Sequence, residues 1–339
     1  MIIIYFRGGK YMKRFFSLLL SLLILRGILF AEGKQEERFK WPDPEKTITM
    51  VVPFAAGGGT DLIFRALMEE FKKNVPCNVV VSNIGGAGSA TGTNEVLRLP
   101  ADGYTLLASG THTVAATLQG LTEGMFELEG ILGLNWDPFI IASNIKKPWN
   151  SFQELVGAAK AKPKSISLGN AVMGGATGVA SIGINLAFNN AFNVTPFGGG
   201  ADLLASVLGG HCDVGIFSQT EVVTNKNMLR PLVVLYEKRS IIPDLSSVPT
   251  LPEAGYPNVK VPAGSYRSVS VKRGTPPEIK QILAEGLRKA YESPVYQEYM
   301  QKNGLIPAFT QLADTDAYFE ELKAMYIPIL KEAGLLKRQ

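Results

Sequence analysis

The sequence predicts an α/β protein built on parallel-rich sheets, and a junction that occurs three times predicts it. Residues 48–54 form a short, unbroken apolar run rich in β-branched side chains, which suits a strand buried on both faces. Residues 78–82 and 166–169 are shorter strands in the same position. Each passes into a glycine-rich loop and then into apolar residues at helical spacing, and such units in succession argue for a parallel α/β sheet. A chain of 339 residues has room for two domains, or one large one, at roughly 150 residues apiece.

Taken from the amino end, Met12-Lys13-Arg14 followed by the apolar run 15–25 has the charged start and apolar middle of a secretory signal. Cleavage near Ala31 is expected, with Met12 as the true start. An uncleaved membrane anchor would need about twenty apolar residues, more than stand here. The chain carries 34 basic and 30 acidic residues. Residues 1–31 hold five of the basic ones and none of the acidic, so 29 basic against 30 acidic remain and the formal charge becomes −1. A nucleic-acid partner has no support in that balance. Cys77 and Cys212, 135 positions apart, would pair in an oxidising compartment only if the fold brought them together, and otherwise read as two buried thiols.

Residues 32–41 are polar and read as a flexible leader. The first junction follows as Val52-Pro53-Phe54-Ala55-Ala56-Gly57-Gly58-Gly59-Thr60-Asp61, with Thr60 or Asp61 as the expected N-cap of a helix that ends near Val75-Pro76. Glycines let the backbone approach a ligand, and the first helical N–H groups have no partner inside the helix. With the helix dipole, such a start favours a carboxylate or phosphate without any lysine or arginine. The second loop, residues 83–92, leads to a helix through residues 95–99, and residues 104–108 form the next strand. Strand 139–142, the capping box Ser151-Phe152-Gln153-Glu154 with its helix to about residue 161, and the third junction at Gly174-Gly175-Ala176-Thr177-Gly178 come next. Residues 194–197 are extended, Gly198-Gly199-Gly200 turns the chain into helix 201–208, and 213–217 is a strand. Beyond Gly264 a strand at 269–271 and helices over 278–290 and 316–330 complete the pattern, with Tyr291, Tyr296, Tyr299, Tyr318 and Phe319 as packing.

No catalytic set stands out. His112 and His211 lack the cysteine or carboxylate spacing that a metal requires, and a Gly-x-Ser-x-Gly elbow is absent. Gly86-Ala87-Gly88 invites a dinucleotide reading, and hence a nucleotide-dependent enzyme. Its third glycine falls at Gly92, one position late, and no acidic residue ends a following strand to hold a ribose. The chain therefore offers binding loops without chemistry, and neither a cofactor nor a metal is expected.

Four segments in order, 52–61, Gly85-Gly86-Ala87-Gly88, Asp102-Gly103-Tyr104-Thr105-Leu106-Leu107 and Val248-Pro249-Thr250-Leu251-Pro252-Glu253-Ala254-Gly255-Tyr256-Pro257, resemble the periplasmic solute receptors of tripartite tricarboxylate transporters, the TctC or Bug family. The resemblance runs from about Trp41 to the carboxyl end. It implies a two-lobed, flytrap-like fold of the type II binding-protein class with crossing strands. Residues 42–113 and 229–339 would form one lobe and residues 114–228 the other.

It further implies a periplasmic, non-enzymatic receptor. Such a receptor would grip a small carboxylate or amino acid between the loops Phe54, Ala55, Ala56, Gly57, Gly58, Thr60, Asp61 and Gly174, Gly175, Ala176, Thr177, Gly178. The stretches with Gly88, Ser89, Ala90 and with Gly198, Asp202 would add walls. Thr60, Ser89 and Thr177 would offer hydroxyls, while Asp61 and Asp202 would cap helices or accept from a ligand amine. The partners implied are the membrane permease subunits of a tripartite transporter or, in a second use of the fold, a sensor kinase. Asn83-Ile84-Gly85 departs from the family's usual asparagine-arginine-proline run. Met173 and Ala176 stand where serines are frequent. A less polar cleft follows, which favours a small monocarboxylate or dicarboxylate over a tricarboxylate such as citrate.

Overall fold

The computed structural model describes residues 41–338; the expected export signal over 1–31 and nearly all of the leader after it lie outside those residues. The strands are β1 (Thr47–Val52), β2 (Asn78–Asn83), β3 (Thr105–Gly110), β4 (Leu128–Asn144), β5 (Ser167–Asn170), β6 (Asn193–Pro196), β7 (Val214–Ser218), β8 (Leu229–Val234), β9 (Gly264–Lys272) and β10 (Ile306–Gln311). The α-helices are α1 (Gly59–Phe71), α2 (Ala90–Arg98), α3 (Thr111–Leu118), α4 (Gly124–Glu127), α5 (Phe152–Ala161), α6 (Ala176–Ala187), α7 (Gly200–Leu208), α8 (Gln219–Thr224), α9 (Pro277–Tyr291), α10 (Pro294–Lys302) and α11 (Ala313–Glu332).

β1 runs parallel to β2 on one side and β3 on the other. Its Ile48, Met50 and Val52 share one face and are fully buried, whereas on the other face Thr47 and Thr49 are only partly buried and Val51 alone is covered, so the strand is enclosed on both faces only at its carboxyl end. Ile63, Phe64, Leu67 and Phe71 of α1 are equally buried. At about 1.5–3 kcal/mol for each such side chain, these four fix the helix on the sheet. Beyond β3 the order continues β9, β4, β7, β5, β6, with β5 parallel to both its neighbours and β4 antiparallel to its own.

β4 joins the two halves. Its residues 128–138 pair with β9, and part of that stretch pairs with β10 on the opposite edge. Its residues 139–144 pair with β7 and β8. One strand of 17 residues thus belongs to two sheet halves, and these are the two lobes of the fold. Pro138, with no N–H to give, stands where one pairing ends and the next begins. Phe139 and Ile141 then share a core with Phe152 and Leu155 of α5 and Val179 and Ile184 of α6.

Several elements are longer than their apolar signal. The strand expected over 139–142 starts at Leu128, because Gly130, Gly133, Asn135 and Asp137 interrupt the pattern without ending the ladder. Gly130 is there for space, since a Cβ on it would lie 2.6 Å from Thr315 Cγ2 of α11. β9 likewise spans nine residues instead of 269–271. Cys77 and Cys212 are buried free thiols, and Tyr296 is fully buried, with Tyr291 and Phe319 nearly so. No helix among the described residues is long and apolar enough to cross a membrane.

Candidate functional site

Four loops that follow parallel strands carry the candidate residues. The first, residues 53–58, leads from β1 into α1. The N-cap of α1 is Gly58, in extended conformation and with no side-chain cap, and not Thr60 or Asp61 as the sequence suggested. Asp61 lies in the first turn and works backwards instead. Its buried carboxylate accepts from the Gly57 N–H at 2.8 Å, from Arg65 Nε at 2.9 Å and from Asn83 Nδ2 at 2.9 Å. Asn83 Nδ2 also donates to the Phe54 carbonyl at 3.1 Å. Burial pushes the Asp61 carboxyl up, but Arg65, the Gly57 N–H and Asn83 outweigh it and hold it below its ordinary value. The first loop is thereby stapled to the end of β2, and both Asp61 oxygens are occupied.

Ala55, Ala56 and Gly57 are the exposed tip of this loop, while the Phe54 ring meets His112 edge-on at 4.9 Å between centroids. His112 Nε2 bonds the Ala108 carbonyl at 2.9 Å, and burial pushes its pKa down to about 4, so the imidazole is neutral at neutral pH. His211 lies on the surface.

In the second loop, residues 84–89, Ala87, Gly88 and Ser89 have φ of 45°, 69° and 94° in succession. Two of these residues carry a Cβ, and such strain persists where the surroundings enforce it. Ser89 is buried and its hydroxyl has no hydrogen-bond partner. Ala90 opens α2.

The third loop, residues 171–175, leads from β5 into α6. Its Gly175 is the extended N-cap of α6, again without a side-chain cap, and Gly174, Gly175, Ala176 and Gly178 are buried with Thr177 half-buried. A Cβ on Gly178 would lie 2.6 Å from the Val172 carbonyl oxygen, so the tight return of this loop needs glycine there. The second and third loops meet backbone to backbone. A Cβ on Gly88 would lie 2.8 Å from the Gly174 carbonyl carbon.

The fourth loop, residues 197–199, leads into α7. Gly198 and Asp202 stand exposed at its rim, and Gly200 faces the Glu221 carboxylate of α8.

Residues that the sequence did not flag close the space between these loops. Arg267 of β9 lies against the first turn of α1: its Nε reaches Thr60 Oγ1 at 3.4 Å, and a Cβ on Gly59 would lie 3.4 Å from its Nη2 and 3.7 Å from Ser218 Oγ. Asp137 of β4 stands 3.4 Å from Arg267 Nη1 and accepts from Thr220 Oγ1 at 3.0 Å. Glu221 accepts from the Ser218 N–H at 2.8 Å and from its hydroxyl at 2.9 Å. Burial pushes the carboxyls of Asp137 and Glu221 up, against the pull of Arg267 and the hydroxyl and N–H donors. Contacts therefore run from the first loop through Arg267 and Ser218 to Glu221 and the fourth loop, while the second and third loops touch each other. A signal for these residues existed: Arg267 and Asp137 are charges inside strand sequences, and Ser218-Gln219-Thr220-Glu221 is a capping box.

The family model described as the tripartite tricarboxylate transporter family receptor, TctC, matches residues 63–335. BugT of Bordetella pertussis is 26% identical over 298 residues, which cover 86% of this chain and 90% of BugT. Among solved structures, a TctC solute-binding protein from Polaromonas is 29% identical with a TM-score of 0.64, and covers 86% of this chain and 100% of its own. The periplasmic binding protein BugD is 27% identical with a TM-score of 0.77, over 87% of this chain and 100% of its own. Rpa4515 of R. palustris, solved with adipate, shares the fold at 23% identity and a TM-score of 0.79, over 87% and 99% of the two chains. The four motifs pointed the same way as this match, which takes in both sheet halves and the strand between them: the chain belongs to the TctC family of tripartite tricarboxylate transporter receptors.

Proposed function

We propose that this chain is an exported receptor that captures a small carboxylate between its two lobes and delivers it to the membrane subunits of a tripartite transporter. One observation carries the reading. α1 in one half and α6 in the other both begin after a glycine N-cap with no side-chain cap, so each presents unpartnered N–H groups and the positive end of a dipole. An acid lying between them would be held by backbone donors from both halves, without a buried cation of its own. Such a ligand makes more contacts when the loops are together than apart, and that difference in affinity drives closure. The phenolic, carboxylate and imidazole groups around the loops serve packing and loop shape in this reading, and no bond of the ligand is made or broken.

The cleft is expected to prefer a mono- or dicarboxylate to citrate, because Ala176 and Met173 leave the third loop and the first turn of α6 with one hydroxyl, that of Thr177. Thermal melting of residues 32–339 against small carboxylates, amino acids and nicotinamide nucleotides tests the reading. A ligand at a hundred times its dissociation constant adds about 2.7 kcal/mol, which is a shift of several degrees. A shift with one class of small acid supports a receptor, whereas shifts with nucleotides alone overturn it. Delivery is tested separately, by loss of uptake of that acid when the chain is deleted in its host.

A further inference from the structure

β9 and β4 carry adjacent polar side chains where a sheet interior is ordinarily apolar. Arg267 stands directly across the ladder from Asn135, and Asp137 lies two residues along β4 on the same face. Arg267 is 3% exposed and the other two are fully buried. Much of their hydrogen-bonding capacity is unused. Arg267 Nη1 makes no hydrogen bond despite the nearby Asp137 carboxylate, and neither amide atom of Asn135 has a partner. The hydroxyl of Tyr296 on α10 is also buried and unpartnered. Each such group costs stability, so a cluster of them beside a ligand cleft calls for an occupant.

We propose that Arg267 and Asn135 form a polar end-pocket that reads the far end of the ligand, and that it takes an uncharged hydrogen-bonding group, a hydroxyl or an amide, rather than a second carboxylate. The inference rests on the receptor reading above. It places the pocket beside the first turn of α1, where Arg267 touches Thr60 and faces Gly59.

Charge decides what fits. Arg267 already has Asp137 as its counter-ion, and the Glu221 carboxyl is near enough to interact with both. A second ligand carboxylate would meet one guanidinium and two acidic groups in dry surroundings, where an anion without a cation of its own is strongly disfavoured. A hydroxyl or amide accepts from Arg267 or Asn135 Nδ2 and donates to Asn135 Oδ1, which uses both kinds of unpaired atom without adding charge. Sites built to hydrogen-bond a ligand group discriminate strongly against analogues that lack it.

The test is calorimetry on the signal-free protein at neutral pH with two matched sets: butyrate, 4-hydroxybutyrate and succinate, then hexanoate, 6-hydroxyhexanoate and adipate. In at least one set the hydroxy acid is expected to bind about tenfold or more tightly than both companions. Asn135→Leu leaves no charge unpaired and removes two unsatisfied atoms, so its Tm is expected to hold or rise while the hydroxy preference collapses. A purely structural Asn135 would show the opposite pattern, a lower Tm with the preference intact, and that result overturns the pocket. So does a diacid that binds tightest, or acids that bind with no hydroxy preference. If none of the six acids binds, the pocket as proposed falls, while the receptor reading is decided separately by the wider melting screen.

Discussion

At the scale of single residues, Asp61 and Gly88 shape the candidate loops for different reasons. The Asp61 carboxyl sits below its ordinary value of 3.8 because Arg65, the Gly57 N–H and Asn83 outweigh burial. A folded value below the unfolded one means that its stabilisation is complete above the unfolded value and is lost as pH falls through the folded one. Asp61→Asn should therefore cost about 1–2 kcal/mol at pH 7, a figure kept low because Arg65 is half exposed. The deficit should shrink below about pH 4. Urea denaturation across that range checks it, and a deficit that stays constant into acid would refute the assignment. Gly88 has a positive φ and its missing Cβ is where the Gly174 backbone passes. Gly88→Ala is expected to cost about 1 kcal/mol in stability and to weaken ligand binding more than tenfold, since the second and third loops could no longer meet. Affinity equal to the parent protein would show that this contact is not needed in the bound state.

At the scale of elements, glycine has a different meaning in a helix than in these loops. Gly157 is exposed in α5 and a Cβ there would meet nothing within 4 Å. Gly157→Ala should raise stability by about 0.5–1 kcal/mol with no effect on binding, and a loss of stability in thermal melting would contradict the open space at that site. Sequence patterning found the elements whose burial is simple. β1 carries its apolar residues at 48 and 50–52, and α5 opens on a Ser151 that accepts from the Glu154 N–H as one half of its capping box, while the Glu154 carboxylate accepts from the Asn150 N–H instead of that of Ser151. It found only the apolar end of β4. The other end is held by ladder bonds to β9 and β10, and its glycines and polar residues are chosen for what packs on them, which no local pattern records. The site divides in the same way. Glycine loops before helices can be read locally, whereas Arg267 and Asp137 become neighbours only because residues 130 positions apart in sequence pair in one sheet.

At the scale of the whole molecule, the loop contacts determine what the ligand has to do. The third loop follows β5, in the half built on residues 139–144 of β4, while the second follows β2 in the other half. Their contact at Gly88 and Gly174 therefore spans the lobes, and β4 is the strand that continues from one half into the other. Little apolar area is available to hold the lobes shut at such a contact, since glycine backbones bring no side chains. The free chain should consequently favour an open form, and a bound acid must supply the difference. Moving a population from one part in a hundred closed to nearly all closed takes about 5.5 kcal/mol of preferential binding, which is within reach of a carboxylate held by several backbone donors at once. X-ray scattering from residues 32–339 should then show a smaller radius of gyration on adding any acid that raises the Tm, and hydrogen exchange should slow at the amides of residues 59–61 and 176–178. Gly88→Ala should diminish the scattering change even when saturated with ligand, because it removes closure rather than the first encounter. If a ligand stabilises the protein yet leaves scattering and exchange unchanged, capture takes place in one lobe alone, and closure has no part in how this receptor holds its acid.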